Sequence, residues 1–117
     1  MNIESIQKMC KAFPGVTEDI KWGHDLVFSI GEKMFCVVGL EQSPTTASFK
    51  VTDAEFEELA ASPNFKPAPY VARYKWVLIE DTNAISAKEW QKYLQQSYDL
   101  VKAKLPAKIK KQLELLG

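Results

Sequence analysis

The sequence is poor in the residues that most often carry chemistry. Its 117 residues include one histidine, two cysteines and five glycines. A single histidine, His24, cannot form a histidine metal cluster. Cys10 and Cys36 lie far apart and outside any CxxC pattern, so they support neither a zinc site nor a disulfide framework. The glycines form no GxGxxG fingerprint and no Walker-type loop. We therefore predict buried, reduced cysteines, no metal, no cofactor and no enzymatic activity.

An excess of charge of one sign and long apolar runs are also missing. Fifteen Lys and Arg residues balance fifteen Asp and Glu residues, and the pI is about 6.6. The whole chain is therefore not attracted to nucleic acid or to anionic membranes, and any polyanion site must be a local patch. No apolar run is long enough for a transmembrane helix, and MNIESIQKMCKAF lacks the features of a signal peptide. We expect a cytoplasmic protein that does not enter a membrane.

The residues that are present have the pattern of one folded domain. The length is a common domain size, and 46% hydrophobic with 26% charged residues is a globular balance. We predict a single domain over residues 1–117. Apolar residues recur at three- and four-residue intervals in the first segment, which predicts a helix. Asn2 can cap this helix, and Pro14-Gly15 stops it.

Three further segments have the spacing of amphipathic helices. Thr52 with Glu55, and Ser86 with Glu89, match the capping-box pattern that opens a helix. Pro106 suits the first position of a last helix. The residues of this last helix that we predict to face inward are Ile109, Leu113 and Leu116.

Period-two alternation predicts the strands of an antiparallel sheet. Four runs precede the second helix, DIKW, LVFSI, KMFCVVGL and ASFKV, and KWVLIED follows it. Gly31-Glu32 fits a tight hairpin turn between the second and third runs. Apolar side chains recur at every second position, which predicts a sheet with one buried face. The segment from Phe65 to Tyr70 contains two prolines and is expected to be irregular.

These elements define the fold class. We predict a two-layer α+β fold, an antiparallel sheet of about five strands with helices packed on one face. The opposite face of the sheet is then the place where function could reside.

Basic and aromatic side chains cluster in the strand and loop segments. Basic residues beside aromatic residues are what phosphate contact and base stacking require. Trp22 and Trp76 fit core or edge packing better than stacking, because large aromatic residues usually supply burial first. The basic residues of this set are Lys33, Lys50, Lys66, Arg73 and Lys75.

The order and spacing of five blocks resemble the MmcQ/YjbR family of small bacterial proteins. The blocks are FPGVTEDIKWG, GEKMFCV, SFKVTDAEFEEL, FKPAPYVARYKWVLIED and QQSYDLVKAKLP. The resemblance covers essentially the whole chain. It implies a fold like that of bacterial frataxin (CyaY), described as a double-wing DNA-binding type in which the wings are β-hairpins.

The resemblance also implies which residues would contact DNA. The positions that match basic and aromatic family motifs are Lys33, Lys50 and Trp76, and local chemistry adds Lys66, Arg73 and Lys75. The first hypothesis is therefore a non-enzymatic DNA-binding protein that contacts phosphates through the hairpin around Gly31-Glu32 and the strand carrying Lys50.

Two alternatives belong to other classes of protein. One is a protein-interaction or small-ligand-binding module that uses the exposed sheet face and the loop from Phe65 to Tyr70. An apolar groove lined by Tyr70, Tyr74 and Trp76 would favour it. The other is an enzyme, which would need His24 in a cleft beside a carboxylate partner. A protein partner is not identified by the sequence.

Overall fold

Six antiparallel strands and four α-helices form two layers in this computed structural model, which describes the backbone of residues 1–116 and the side chains of residues 1–114. The strand order is β1-β2-β3-β4-β6-β5. The strands are β1 (Val16–Lys21), β2 (Asp25–Ile30), β3 (Lys33–Gly39), β4 (Thr46–Lys50), β5 (Phe65–Pro67) and β6 (Trp76–Ile79). The helices are α1 (Ile3–Lys11), α2 (Asp53–Ala60), α3 (Ala87–Ala103) and α4 (Ala107–Leu116).

The helix starts confirm the capping signals. Asn2 Oδ1 accepts the backbone N–H of Ser5 at 2.8 Å, and both predicted capping boxes are formed at the starts of α2 and α3. Each box satisfies backbone N–H groups that the first helical turn would otherwise leave without acceptors. In α4, Ile109 and Leu113 pack against the core as predicted. The side chain of Leu116 lies outside the described residues.

The β2–β3 hairpin turns in two residues. Gly31 and Glu32 have φ values of 56° and 69°, which is the pattern of a type I′ turn. A Cβ on Gly31 would lie 2.8 Å from Leu105 Cδ1 and 2.9 Å from Ile109 Cγ2. The start of α4 therefore packs closely against this turn.

One predicted irregular segment contains a strand. Residues Phe65–Pro67 form β5, which pairs with β6 at the edge of the sheet. The prediction was wrong there, because proline lacks a donor but is compatible with an edge strand. The backbone N–H of Ala68 continues the pairing by donating to Trp76 O at 3.1 Å.

The core lies between the sheet and the helices. Phe49 is fully buried and contacts the rings of Phe65, Trp90 and Tyr93. A second aromatic group joins α3 to the chain that follows α1 and to β3. Its members are Phe13, Phe35 and Tyr98.

A side chain of α3 stabilises a β-bulge in β3. Phe28 pairs with Cys36 and Ser29 with Met34, so Phe35 is the extra residue. Ser97, which is fully buried on α3, donates its hydroxyl proton to Phe35 O at 2.5 Å. Ser97 Oγ in turn accepts the backbone N–H of Lys50 at 3.0 Å. One hydroxyl therefore joins β3 and β4 to the helix layer.

The uncovered face of the sheet is only partly solvated. The register of β4 and β6 places Ser48 and Leu78 together on this face. On β2, Val27 is fully buried on the same side, so the expectation of one buried face is wrong for this strand. Cys10 and Cys36 are free and buried, as expected. No helix among the described residues is long and apolar enough to cross a membrane.

Candidate ligand-binding groove on the open sheet face

A groove of about 960 Å³ lies along the uncovered face of the sheet. The strand register builds its floor, because Val37, Ser48, Leu78 and Lys66 occupy one row across β3, β4, β6 and β5. Trp76 lies one step further along β6 on the same face, since side chains two residues apart in a strand share a face. We call this surface the open-face groove.

Three connecting segments form the walls of the open-face groove. The β1–β2 turn contributes Trp22 and His24, and the β3–β4 loop contributes Pro44. The segment between β5 and the 3₁₀ turn at Ala72–Tyr74 contributes Pro69 and Tyr70. Apolar side chains dominate this lining, with a few polar groups among them, which is the usual character of a ligand site.

Two of the wall residues are aromatic, exposed and held in an unfavourable backbone conformation. Trp22 has 63% and Tyr70 100% of its surface exposed. Their φ values are 55° and 69°, in the left-handed region that non-glycine residues seldom adopt. The expectation that Trp22 serves core or edge packing was wrong, because the β1 strand ends at Lys21 and places Trp22 in the turn.

Trp76 differs from these two aromatic residues. Only 5% of its surface is exposed, and it pairs with Lys50 across the β4–β6 ladder. It packs as predicted, yet its remaining surface lies at the floor of the open-face groove. Tyr74 is 51% exposed and does not line the groove.

Polar groups concentrate at the end of the groove nearest the β1–β2 turn. Asp25 begins β2 and Glu80 follows β6, and both line the groove. His24 Nε2 lies 3.9 Å from Asp25 Oδ2, which is too long for a hydrogen bond. An enzyme would require this kind of pair, with a nucleophile bonded to the imidazole.

The nucleophile of such an enzyme is not in place. Among the side-chain hydrogen bonds of residues 1–114, none joins a hydroxyl or thiol to His24. The absence of enzymatic activity stays a prediction. Within the same residues, no group of three or more His, Cys, Asp or Glu side chains is arranged to hold a metal ion.

Two of the six residues predicted to contact DNA, Lys66 and Trp76, lie in the open-face groove. Lys33 is exposed at the start of β3, and the β3–β4 register places it at the same end of the sheet as Lys50. Arg73 lies outside the groove, in the 3₁₀ turn.

Lys50 belongs to a basic end of the sheet. Partial burial lowers its pKa, and the nearby ammonium groups of Lys104 and Lys75 lower it further, while Asp53 raises it. The Lys50 ammonium donates to the backbone carbonyl of Tyr74. One donor of the Lys50 ammonium group is therefore already bonded within the fold.

Two other basic residues make contacts of their own. The Arg73 guanidinium carbon lies 4.7 Å from the centre of the Tyr74 ring, and Arg73 donates to the Tyr74 hydroxyl at 2.6 Å. Lys75 Nζ lies 5.1 Å from the centre of the Phe56 ring, as in a cation–π contact. Neither side chain lines the open-face groove.

The fold and the groove together define a small antiparallel α+β protein with a recessed surface on its uncovered sheet face. The sequence model of the YjbR family matches residues 11–100, so the chain belongs to the YjbR family. No curated protein matches the sequence.

Two solved structures have the same fold. A Deinococcus radiodurans protein with a DUF419 domain has a TM-score of 0.86 at 23% identity, covering 97% of this chain and 88% of its own. A Pseudomonas syringae protein has a TM-score of 0.70 at 19% identity, covering 86% of this chain and 99% of its own. At these identities the likeness shows the fold alone.

Proposed function

We propose that this protein is a binding module whose open-face groove takes a small organic ligand with an apolar, aromatic-sized body. The observation that carries this proposal is the pair of exposed aromatic residues, Trp22 and Tyr70, both in left-handed backbone conformations on the groove walls. Non-glycine residues in this conformation cost about 1 kcal/mol or more each and concentrate at functional sites.

Neither aromatic side chain serves the stability of the fold in an evident way. A turn with positive φ is best made by Asn or Gly, and Trp22 and Tyr70 instead expose apolar surface to water. Tyr70 has its whole side chain exposed, so it buries nothing in the free protein. A ligand lying between these walls would bury that apolar surface, and the two aromatic side chains would then contribute to binding.

The dimensions of the groove support a small molecule. Its volume of about 960 Å³ falls within the range of ligand sites, roughly 300–1,000 Å³. Its floor is made by Val37, Leu78 and Trp76, which supply apolar surface, while Ser48 supplies a hydroxyl. Such a combination fixes orientation through few polar groups and gains affinity from apolar burial.

The test is a titration of the ¹⁵N-labelled protein with small aromatic probes, 2-phenylethanol and indole, followed by amide chemical shifts. We expect saturable shifts confined to the floor strands and to the walls of the groove. The double variant Trp22→Asn/Tyr70→Asn should weaken binding by about tenfold or more, because two stacking contacts of about 1 kcal/mol each are lost.

The matched control is Tyr74→Asn. Tyr74 is also an exposed aromatic residue, but it lies outside the groove lining, so its variant should bind within about twofold of the parent protein. Absence of saturable shifts with both probes would overturn the proposal. Equal weakening in the control and in the double variant would do the same.

A second candidate function is DNA binding at the basic end of the sheet. The observation that favours it is that Lys75 and Lys104 lie close enough to Lys50 to act on its pKa, which is lowered first by burial and then by these two ammonium groups, against the opposing charge of Asp53. Lys33 lies at the same end of the sheet and adds a further positive charge. The Gly31 turn packs against α4, so the tip of this hairpin does not project from the fold as a DNA-binding wing would.

The DNA candidate is tested by fluorescence anisotropy with labelled duplex and single-stranded DNA at several salt concentrations. If the basic end binds phosphates, the logarithm of the affinity should fall with the logarithm of salt at a slope of about 0.9 per phosphate contact. The variant Lys75→Glu/Lys104→Glu should abolish binding, and Lys88→Glu/Lys92→Glu on α3 is the charge-matched control. No binding at low salt would exclude this candidate.

A further inference from the structure

The polar end of the open-face groove carries more acceptors than donors. The register pairs Asp25 with Gly39 and Gly39 with Thr46, and the β4–β6 register continued by one step places Thr46 opposite Glu80. These four residues therefore form one row across the sheet. Strands are spaced by about 4.8 Å, so the backbones of Asp25 and Glu80 are about 14 Å apart.

The middle of this row carries oxygen-bearing side chains. The Thr46 and Gln42 side chains cover Gly39, because a Cβ on Gly39 would lie 2.8 Å from Thr46 Oγ1 and 3.1 Å from Gln42 Cγ. A hydroxyl and an amide side chain therefore lie between the two carboxylate-bearing strands. Hydroxyl and amide oxygens and carboxylates are all acceptors for a group with several N–H donors.

The charges of this end are not neutralised by close partners. Within residues 1–114, Asp25 Oδ2 lies 3.9 Å from the His24 ring nitrogen, and neither Glu80 nor Lys66 has an opposite charge within 4.0 Å. Lys66 is the one ammonium group in the groove lining, and it lies exposed on the edge strand β5, one row away. Its flexible stem lets its charge remain in water.

We infer that the ligand of the open-face groove is an amphiphilic organic cation, an ammonium head attached to an aromatic or similarly sized apolar body; this inference rests on the proposed function. The ammonium group lies between Asp25 and Glu80, and the apolar body lies along Val37 and Leu78 toward Trp76.

Two independent features favour a cation over an anion or a neutral ligand. The first is charge, since two carboxylates oppose one lysine, and the Asp25 side chain is only 24% exposed, so its charge is less screened by water. The second is the aromatic wall, because the faces of Trp and Tyr rings attract cations. Trp22 follows directly from the strand that pairs with β2, which keeps it near the acidic end.

The test compares three probes that share one phenyl body and differ in their head group. They are phenethylamine, which is a cation at neutral pH, 2-phenylethanol, which is neutral, and 3-phenylpropionate, which is an anion. We expect the amine to bind about tenfold more tightly than the alcohol, with the carboxylate weakest, because two partly screened charge contacts contribute about threefold each. Amide chemical shifts of the labelled protein report the binding.

Variants assign the preference to the row of residues described above. Glu80→Gln and Asp25→Asn should each reduce the affinity for the amine about threefold and leave the affinity for the alcohol unchanged. Lys66→Gln should increase the affinity for the amine. Glu57→Gln, which removes an exposed carboxylate on α2, is the control and should change neither affinity.

The outcomes separate this inference from the proposed function. Equal affinity for the amine and the alcohol, or tighter binding of the carboxylate, would overturn the inference of a cationic ligand. The groove would remain a ligand site. Failure of all three probes to bind would overturn the proposed function itself. Glu80 is exposed, so Glu80→Gln keeps the test valid even if Asp25→Asn unfolds.

Discussion

We expect the loss of the Ser97 hydroxyl, a single oxygen atom, to lower the free energy of unfolding substantially. It donates to Phe35 O at 2.5 Å and accepts the N–H of Lys50 at 3.0 Å, in a fully buried position. Replacing Ser97 by Ala removes one oxygen atom and leaves a backbone carbonyl and a backbone N–H without these partners. Each group left unpaired in the interior costs about 1–3 kcal/mol.

The expected loss in the free energy of unfolding for Ser97→Ala is about 2–4 kcal/mol. For a chain of this length, with an unfolding entropy of about 2.1 cal/mol/K per residue, a loss of this size lowers the melting temperature by roughly 8–16 °C. Urea denaturation followed by circular dichroism measures the free energy, and a thermal melt measures the temperature. The slope of the urea transition should not change, since the surface exposed on unfolding is the same.

Ser5→Ala is the control for this prediction. Ser5 lies in α1 and is only partly buried, and its backbone N–H, which the substitution keeps, is the group that bonds to Asn2. We expect a change within about 0.5 kcal/mol. A loss below about 1 kcal/mol for Ser97→Ala would refute the argument that this hydroxyl bridges the bulge and β4.

Three further predictions concern the turns and the pH dependence of stability. Trp22→Asn and Tyr70→Asn should each leave the free energy of unfolding unchanged or raise it by up to about 1 kcal/mol, because Asn tolerates positive φ. Gly31→Ala should lower the free energy of unfolding by about 2 kcal/mol, since an alanine with φ near 56° is strained and its Cβ would lie 2.8 Å from Leu105 Cδ1. Glu18 has a pKa lowered below its ordinary value of 4.5, chiefly by hydrogen bonds from two α1 side chains. Its folded pKa is below the unfolded one, so it adds stability above the unfolded pKa, which is lost as the pH falls through the folded pKa.

Chemical denaturation checks all three predictions. A loss above about 1 kcal/mol in either aromatic variant would show that the residue serves the fold, against the argument made for the groove. A Gly31→Ala protein as stable as the parent would contradict the close packing of α4 on the turn. For Glu18, the stability difference between the parent and Glu18→Gln should be present at neutral pH and disappear in acid. A difference that does not depend on pH would rule out this linkage.

Part of the candidate site could be predicted from the sequence. The alternation of β6 placed Trp76 and Leu78 on one face of the strand, and the segment from Phe65 to Tyr70 was expected to act together with the open face, which the groove lining bears out. The orientation of Trp22 could not be predicted, because it depends on the residue at which β1 ends. The adjacent Gly23 was the available signal, since a Trp-Gly pair between strands marks a turn.

The sequence by itself determined the helices, the strands of the central sheet and the family. These features depend on local hydrogen bonds and on a periodicity within one segment, such as the capping box of Thr52 and Glu55, and they need no distant partner. Tertiary structure alone decided the groove, its acidic row and the separation of the basic residues. They depend on strand register and on loops that pack over the sheet, so residues such as Asp25 and Glu80 share a surface only after the chain has folded.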